Sequence, residues 1–295
     1  MKVLVTGGTG FVGPKVVHAL RGEGREVRCL VRDAESAHQA RSWGCEVIEG
    51  DMTEADSLRR AVEGCDTVVH LVAIIVGKPE DFERVMSQGT RDLIGAAKEA
   101  GVGRFVLMSA LGTGESTKAL TPYFKAKWQM EQDVQGSGLE HVIFRPSFVF
   151  GQDGGVLPTF LKLVRYAPVI PVIGPGTQRI QPIWVEDVAA FYARAVASAE
   201  AANRTFELGG PDVVTWDELY DRIKAVLGKR RTKLHLPFGL MRANAAVLEV
   251  LPGPTPVTRD QVMMLEIDNT CDIGPAVETF GVQPIGLDEQ LRRAA

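Results

Sequence analysis

The sequence predicts an α/β protein built on a doubly wound parallel sheet of about seven strands, with a smaller, discontinuous α+β domain. Three observations lead to this prediction. Short apolar runs alternate with segments of helical periodicity through the first half of the chain, and the connections between them are short. After Pro146 the alternation stops, and the remaining residues mix helices with connections rich in Gly and Pro.

The first strand–helix–strand unit is the most clearly marked. Residues 2–6 form a β-rich apolar run, and the apolar residues that follow recur at helical spacing until Gly22 and Gly24. Residues 27–31 then predict a second strand. The unit is about thirty residues long, as expected for a βαβ motif.

Later elements repeat this alternation. Thr53 and Asp56 predict a capping box at the start of a helix, and a long helix is expected over 80–100. Thr121 and Pro122 suit the N-cap and the first position of another helix. Further strands are predicted at residues 46–49, 67–72, 104–108, 141–145 and 205–208.

Composition narrows the classes of function. The formal net charge is −4, which argues against nucleic acid as the main partner because phosphate binding requires a basic surface. The four cysteines form no CxxC pair and have no nearby His at metal-site spacing, so we expect no metal and a reducing compartment. With no signal-peptide pattern and no apolar stretch of about 18 residues, we expect a cytoplasmic protein without a membrane span.

A glycine-rich turn joins the first strand to the first helix. Gly8, Gly10 and Gly13 satisfy the G-x-G-x-x-G pattern, and Gly7 overlaps it. Glycines there permit a tight turn and close approach of the backbone to a pyrophosphate, which the N-terminus of the helix then attracts. The context after a strand and before an amphipathic helix predicts a Rossmann-type site, with the pyrophosphate over Gly7, Gly10 and Gly13.

The domain boundaries follow from this site and from the change of pattern. The dinucleotide-binding domain is predicted at 1–150 and 183–210. A substrate domain is predicted at 151–182 and 211–295, in two separate pieces.

The residues at the ends of the second and third strands bear on the choice of cofactor. Arg32 follows the second strand, and a guanidinium suits a 2′-phosphate, so NADP(H) is favoured over NAD(H). In the alternative interpretation, Arg32 is a solvated charge and Asp33 binds the ribose. Asp51 ends the third strand and either meets the adenine edge or serves as a turn residue before Thr53.

Tyr123 and Lys127 are four residues apart and therefore share a helix face. A reductase needs a proton donor beside the carbonyl that receives hydride, and a neighbouring ammonium is expected to lower the pKa of the phenol. Ser109 stands at the end of the fifth predicted strand, where it could polarise the carbonyl or act as a capping serine.

Together these motifs resemble the short-chain dehydrogenase/reductase superfamily, in its extended or atypical branch. The likeness covers nearly the whole chain, and the C-terminal run from Pro256 to Asn269 is similar to bacterial relatives of the nucleotide-binding accessory subunit of respiratory complex I. The motifs are the segments 6–13, 50–52, 123–127, 145–151 and 184–189, together with Ser109.

The resemblance implies roles for residues that periodicity does not single out. It implies that Tyr123 and Lys127 form the active-site pair, with Lys127 also bonding the nicotinamide ribose, and that Pro146 contacts the nicotinamide. The further cofactor contacts that it implies are Thr9, Phe11, Val12, Met52, Leu71, Val72 and Ala73.

Two functions remain open at this point. One is an oxidoreductase acting on an unidentified carbonyl or alcohol, with an epimerase or dehydratase as a variant of the same site. The other is a non-catalytic NADPH-binding accessory or sensor protein, because Ala110 and Met86 replace polar residues common in the family.

The sequence contains fewer signals for partners and substrate than for the cofactor. Residues 238–251 are strongly apolar and predict either a helix that closes the substrate pocket or a surface that contacts a membrane or a quinone. Phe148, Phe150, Phe160 and Trp184 favour an apolar small-molecule substrate, although core packing explains them equally well. The oligomeric state is left open.

Overall fold

The computed structural model describes residues 1–249 and 257–295, and within these it forms two compact units. Residues 272–283 lie in the first unit, whereas the sequence pattern assigned them to the substrate domain. The first unit comprises Met1–Pro146, Val185–Leu208 and Asp272–Gln283; the second comprises Ser147–Trp184, Gly209–Cys271 and Pro284–Ala295.

The first unit contains a parallel sheet of seven strands among the described residues, which confirms the predicted fold class. Their spatial order is β11-β6-β5-β4-β1-β2-β3, so the chain winds outward from β1 in one direction and then from β4 in the other. The strands are β1 (Lys2–Thr6), β2 (Glu26–Val31), β3 (Glu46–Glu49), β4 (Thr67–His70), β5 (Arg104–Met108), β6 (Glu140–Pro146) and β11 (Arg204–Leu208).

Helices connect these strands. The apolar stripe of the first helix, Val16, Val17 and Leu20, is fully buried against the sheet, and each such side chain contributes about 1.5–3 kcal/mol by leaving water. The helices of this unit are α1 (Gly13–Gly22), α2 (Ala34–Ser42), α3 (Ala55–Val62), α4 (Pro79–Asp81), a π-helix (Phe82–Gln88), α5 (Gly89–Glu99), α6 (Pro122–Gln135), α8 (Val185–Ala195), a 3₁₀ turn (Ala199–Ala201) and α12 (Gly274–Phe280).

Of two predicted local features, the capping box at Thr53 is wrong and the long helix that follows β4 is confirmed with a local distortion. The proposed capping box fails because Asp51, two residues before Thr53, accepts hydrogen bonds from both the Thr53 amide (2.8 Å) and its hydroxyl (2.7 Å). The long helix predicted over 80–100 is confirmed as one continuous helical segment from Pro79 to Glu99, of which Phe82–Gln88 is wound as a π-helix. There the Thr90 hydroxyl donates to the Met86 carbonyl, a side-chain insertion of the kind that distorts a regular helical ladder.

The second unit packs short strands and helices around its own core. Its strands β8 and β13 pair in parallel, from Val169 opposite Thr232 to Ile173 opposite Leu236. Its elements are β7 (Val149–Phe150), α7 (Leu157–Tyr166), β8 (Val169–Ile173), β9 (Arg179–Ile180), β10 (Ile183–Trp184), β12 (Val214–Thr215), α9 (Trp216–Leu227), β13 (Thr232–Leu236), α10 (Phe238–Leu248), α11 (Arg259–Met264) and α13 (Leu287–Ala294).

The apolar segment predicted over 238–251 is helical as far as Leu248, and its positions 250 and 251 lie outside the described residues. Within the described part of the chain, none of the helices combines the length and the apolar character that crossing a bilayer requires.

Candidate active site

The parallel sheet brings most of the predicted site residues of the first unit to one edge. Because neighbouring strands run in the same direction, the loops that follow β1, β2, β3, β4 and β5 all leave the sheet on the same side as the end of β6. This edge therefore carries the glycine turn, Arg32, Asp51, Leu71–Ala73, Ser109 and Pro146.

The glycine turn is folded tightly enough to exclude a side chain at one position. The Gly10 amide donates to the Gly7 carbonyl over 3.1 Å, and Gly7 adopts a φ of +76°. A Cβ at Gly13 would lie 2.5 Å from the carbonyl carbon of Gly8 and closer still to the Gly7 oxygen. Since these atoms belong to the backbone, only glycine fits at position 13.

The same turn packs against the end of β4, at the point where the strand order reverses. A Cβ on Gly7 would lie 3.1 Å from the Leu71 carbonyl carbon and the Val72 nitrogen. The Leu71 amide donates to the Thr6 carbonyl over 3.0 Å. The glycine turn and residues 71–73 thus meet at the topological switch point, where open α/β sheets bind their ligands.

The first turn of α1 is suited to bind an anion. Its N-cap, Val12, gives no side-chain hydrogen bond to the helix, so the first amides can be satisfied by a ligand. The bare Gly10 leaves room above this turn, since a Cβ there would make only an ordinary contact of 3.4 Å. These features fit a dinucleotide pyrophosphate.

Of the two residues that follow β2, Arg32 is exposed and Asp33 caps a helix. The Asp33 carboxylate accepts the Ser36 amide (2.8 Å) and the Ser36 hydroxyl (3.1 Å). These bonds lower the pKa of Asp33 and hold its carboxylate at the start of α2. Asp51 is likewise engaged with Thr53 in a turn, as in the second interpretation of that residue.

Tyr123 lies in the first turn of α6, where the sequence predicts it. The Thr121 hydroxyl accepts the Phe124 amide over 3.1 Å, which caps the helix one residue before Pro122. Tyr123 is half-buried against the core, and its burial raises the pKa of the phenol. The pKa of this phenol therefore lies above its ordinary value in the protein alone, instead of below it as expected, because desolvation determines the direction of the shift.

Lys127 is almost completely buried, with 1% of its surface exposed. Its Nζ donates to the Met108 carbonyl over 2.6 Å and lies 5.8 Å from the centre of the Tyr123 ring. Burial lowers the pKa of the ammonium to about 7, and the negative charge of Glu131 partly opposes this shift. Lys127 therefore titrates near neutral pH at the C-terminal end of β5.

A buried ion pair one helical turn beyond Lys127 was not predicted. Glu131, 1% exposed, accepts two hydrogen bonds from the Arg145 guanidinium, over 2.9 Å to Nε and 2.6 Å to Nη2. This bidentate geometry connects α6 to β6 just before Pro146. A charged residue four positions after Lys127, on the same helix face, is the sequence signal that could have identified Glu131.

Ser109 is buried, and its hydroxyl has a partner that was also missed. Its Oγ donates to the Thr113 hydroxyl over 3.3 Å, and its amide donates to the Phe144 carbonyl over 2.7 Å. The Thr113 amide in turn bonds the Ala110 carbonyl. Position 110 has no hydroxyl, but the tight turn brings the Thr113 hydroxyl next to Ser109 instead.

His70 is a third group that sequence reasoning passed over. It is fully buried at the end of β4, with Nδ1 2.6 Å from the Thr6 hydroxyl and Nε2 3.0 Å from the Thr90 hydroxyl. Burial, aided by the charge of Lys127, lowers the pKa of His70 to about 3. The imidazole is therefore neutral and ties β1 and β4 to α5. The available signal was a single His in an otherwise apolar strand.

The aromatic residues considered for substrate binding belong to the core of the second unit. Phe150 and Trp184 are buried there, and Phe148 and Phe160 pack edge-on against Trp216 at ring-centre distances of 5.3 and 5.7 Å. Core packing accounts for all four.

Residues 7–199 match the sequence family described as NAD(P)H-binding, and the chain belongs to that family. Its fold and glycine turn thus define an NAD(P)-binding protein of Rossmann type. Among curated proteins it is 30% identical to the rat mitochondrial NADH dehydrogenase [ubiquinone] 1 alpha subcomplex subunit 9, over 98% of this chain and 79% of that protein. It is 32% identical to a ceramide reductase of Caulobacter vibrioides, over 83% of this chain and 77% of that protein.

Among solved structures, the chain superposes on the NADPH-dependent quinone oxidoreductase of Escherichia coli, which was determined with NADPH bound. The TM-score is 0.79 and the identity 21%, over 98% of each chain. At this identity the likeness establishes the fold.

Proposed function

We propose that the protein is an NADP(H)-dependent oxidoreductase that interconverts a carbonyl and an alcohol on a small-molecule substrate. One observation carries the proposal: Tyr123 and the buried Lys127 lie on one face of α6, and Lys127 bonds the end of β5 at the edge that also bears the glycine turn. The similarity to a ceramide reductase supports this proposal, because it shows that a chain with a related sequence is named as a reductase.

In the proposed reaction, the residues at this edge would hold a dinucleotide, which would supply the hydride for the carbonyl carbon. Tyr123 gives its phenolic proton to the carbonyl oxygen, so that the C=O becomes CH–OH and the phenolate remains. Burial raises the pKa of Tyr123, which keeps the phenol protonated and suits the direction of reduction. Ser109 would donate a hydrogen bond to the same oxygen once its hydroxyl proton turns away from Thr113, and the Thr113 hydroxyl would then donate to Ser109 Oγ.

Lys127 would act on both the tyrosine and the cofactor. Bound at the Met108 carbonyl and lying beside the Tyr123 ring, it would stabilise the phenolate formed after proton transfer. A pKa of about 7 lets the side chain exist in either charge state near neutral pH, so that it could also return a proton to Tyr123.

The decisive test compares two Tyr→Phe variants. Tyr123→Phe should lower NADPH consumption with carbonyl substrates by at least about a hundredfold, as expected for loss of a general acid. The affinity for NADPH, followed by its fluorescence, should stay near the wild-type value. Tyr166→Phe is the matched control, because Tyr166 is 74% exposed. Equal turnover by Tyr123→Phe and wild type would rule out the proposal, and product analysis would separate reduction from epimerisation or dehydration.

The preference for NADP(H) rests on Arg32, because the neighbouring Asp33 is engaged in capping α2. Arg32→Ala should weaken NADPH binding by about tenfold or more and leave NADH binding unchanged, since a guanidinium–phosphate pair is lost. Arg41→Ala is the control, because Arg41 is an exposed arginine in the last turn of α2 that pairs with Glu49. Equal losses for the two cofactors would contradict a role for Arg32 with the 2′-phosphate.

The second candidate is a non-catalytic NADPH-binding accessory protein. The similarity to the mitochondrial complex I subunit favours it, as does the absence of a hydroxyl at Ala110. A chase of bound NADPH with excess NADP distinguishes the two. Release within seconds supports a working active site. Release over many minutes, together with no turnover on aldehydes, ketones and quinones, supports the accessory role.

A further inference from the structure

One face of the second unit is apolar and open. In the β8–β13 pair, residues directly opposite each other point to the same side of the sheet. Val169, Pro171 and Leu234 on one side are exposed, with Val169 at 39% and Leu234 at 55%. Ile170 and Val172 on the other side are buried in the core.

Two more exposed apolar side chains lie on the helices next to these two strands. Tyr166 ends α7 just before β8 and is 74% exposed, and Leu240 in α10 is 59% exposed. Phe238 at the start of α10 packs on Gly174, directly after β8, and this contact holds the helix next to the sheet. Exposed apolar surface in one place, with an exposed tyrosine at its margin, marks an interaction site.

Positive charge is concentrated in the two segments that build this face. Residues 157–173 and 228–248 contain seven Lys and Arg and no Asp or Glu, although the whole chain has a net charge of −4. Three of these cations are already engaged: Lys233 with Asp217 and Asp221, Arg242 with Glu266, and Arg165 with the Ala295 oxygen.

Three further cations, Lys229, Arg230 and Arg231, come immediately before β13, next to the edge where β8 and β13 begin. Lys229 and Arg230 are exposed immediately before β13. Arg231 donates to the carbonyls of Val164 and Arg165 (3.4 and 3.3 Å), which fixes the start of β13 beside the end of α7. Cations therefore lie beside the apolar face of β8 and β13, at the end where these two strands begin.

We propose that this face, comprising Tyr166, Val169, Pro171, Leu234 and Leu240 with Lys229 and Arg230 at its border, docks on the surface of an anionic lipid bilayer. The apolar side chains would enter between the headgroups, while the cations contact lipid phosphates. The combination selects a bilayer over a nucleic acid, because a nucleic-acid surface offers phosphates without an apolar layer beneath them.

Flotation of the full chain with vesicles tests this inference, without substrate or cofactor. We expect binding to phosphatidylcholine vesicles that contain phosphatidylglycerol, weaker binding to pure phosphatidylcholine, and release by high salt. The combined change Lys229→Gln and Arg230→Gln should lower the affinity about thirtyfold, since each cation near the surface is worth about fivefold. Lys98→Gln with Lys125→Gln, which removes two exposed lysines from the first unit, is the matched control.

The apolar part of the face is tested separately. Val169→Ser with Leu234→Ser should lower vesicle affinity by roughly tenfold or more. Val213→Ser with Ile267→Ser is the control, because these residues are 47% and 40% exposed elsewhere in the second unit. Circular dichroism and thermal unfolding verify that each variant is folded.

Several results would overturn the inference. The first is no binding to anionic vesicles, and the second is an equal loss of vesicle affinity in test and control variants. The third is an apolar variant that changes only the sedimentation of the free protein, because that result would assign the face to a second copy of the chain. Because the assay uses neither substrate nor dinucleotide, its failure would leave the proposed oxidoreductase activity untouched.

Discussion

Replacing Gly13 by alanine tests the glycine turn most directly. The added Cβ would lie 2.5 Å from the carbonyl carbon and oxygen of Gly8, whereas real Cβ atoms keep at least 3.0 Å from such neighbours. The backbone would have to move by about 0.5 Å or more, because no rotamer change can relieve a clash with main-chain atoms. Such overpacking costs about 1–3 kcal/mol, partly offset by the better helix propensity of alanine, about 1 kcal/mol.

Displacement of this turn should also remove the anion site at the start of α1. We expect Gly13→Ala to bind NADPH at least about tenfold more weakly, equivalent to about 1.4 kcal/mol. Isothermal titration or NADPH fluorescence measures the affinity, and urea unfolding at fixed pH measures stability.

Two further glycines separate strain from cofactor contact. Gly22→Ala in the same helix meets nothing within 4 Å and should raise stability by about 0.5–1 kcal/mol without changing NADPH affinity. Gly10→Ala makes only a 3.4 Å contact and should leave stability nearly unchanged, but weaken NADPH binding by occupying the space above the turn. Wild-type stability and NADPH affinity in Gly13→Ala would refute this account of the turn.

Three other predictions concern buried charge. The pKa of Lys127 is about 7 in the folded protein and 10.5 for a free side chain, so the unfolded chain binds more protons between these two pH values. The free energy of unfolding should therefore rise with pH across that window by about 1.4 kcal/mol per pH unit. Lys127→Met should flatten this rise when stability is measured by urea unfolding. The pKa of His70 is about 3 in the folded protein and 6.5 for a free imidazole, so stability should fall with a similar slope as the pH drops from 6.5 to 3. An equally steep fall in His70→Asn would contradict the assignment of His70 as a buried neutral imidazole. Glu131→Gln should cost about 1–3 kcal/mol, because the Arg145 guanidinium loses its bidentate carboxylate and keeps only Glu207 nearby. The exposed Glu289→Gln should leave stability nearly unchanged in the same denaturation assay.

Periodicity and turn chemistry in the sequence determined the fold class and the glycine turn between β1 and α1. Strand and helix periods differ, so the alternation of apolar runs specified a parallel sheet. The strand–glycine–helix order specified the tight turn at which we propose that a pyrophosphate binds. The Thr121–Pro122 helix start was equally readable, because a cap and the residues that it caps are neighbours in the chain.

Contacts between residues distant in sequence were decided only by the tertiary structure. The pairing of Glu131 with Arg145, the seating of His70 between Thr6 and Thr90, and the burial that depresses the Lys127 pKa each require elements far apart in the chain to meet. The open apolar side of β8 and β13 likewise depends on two strands about sixty residues apart lying in register. A sequence pattern reports which face of an element is apolar, but burial and pKa depend on what packs against that face, and only the folded chain supplies it.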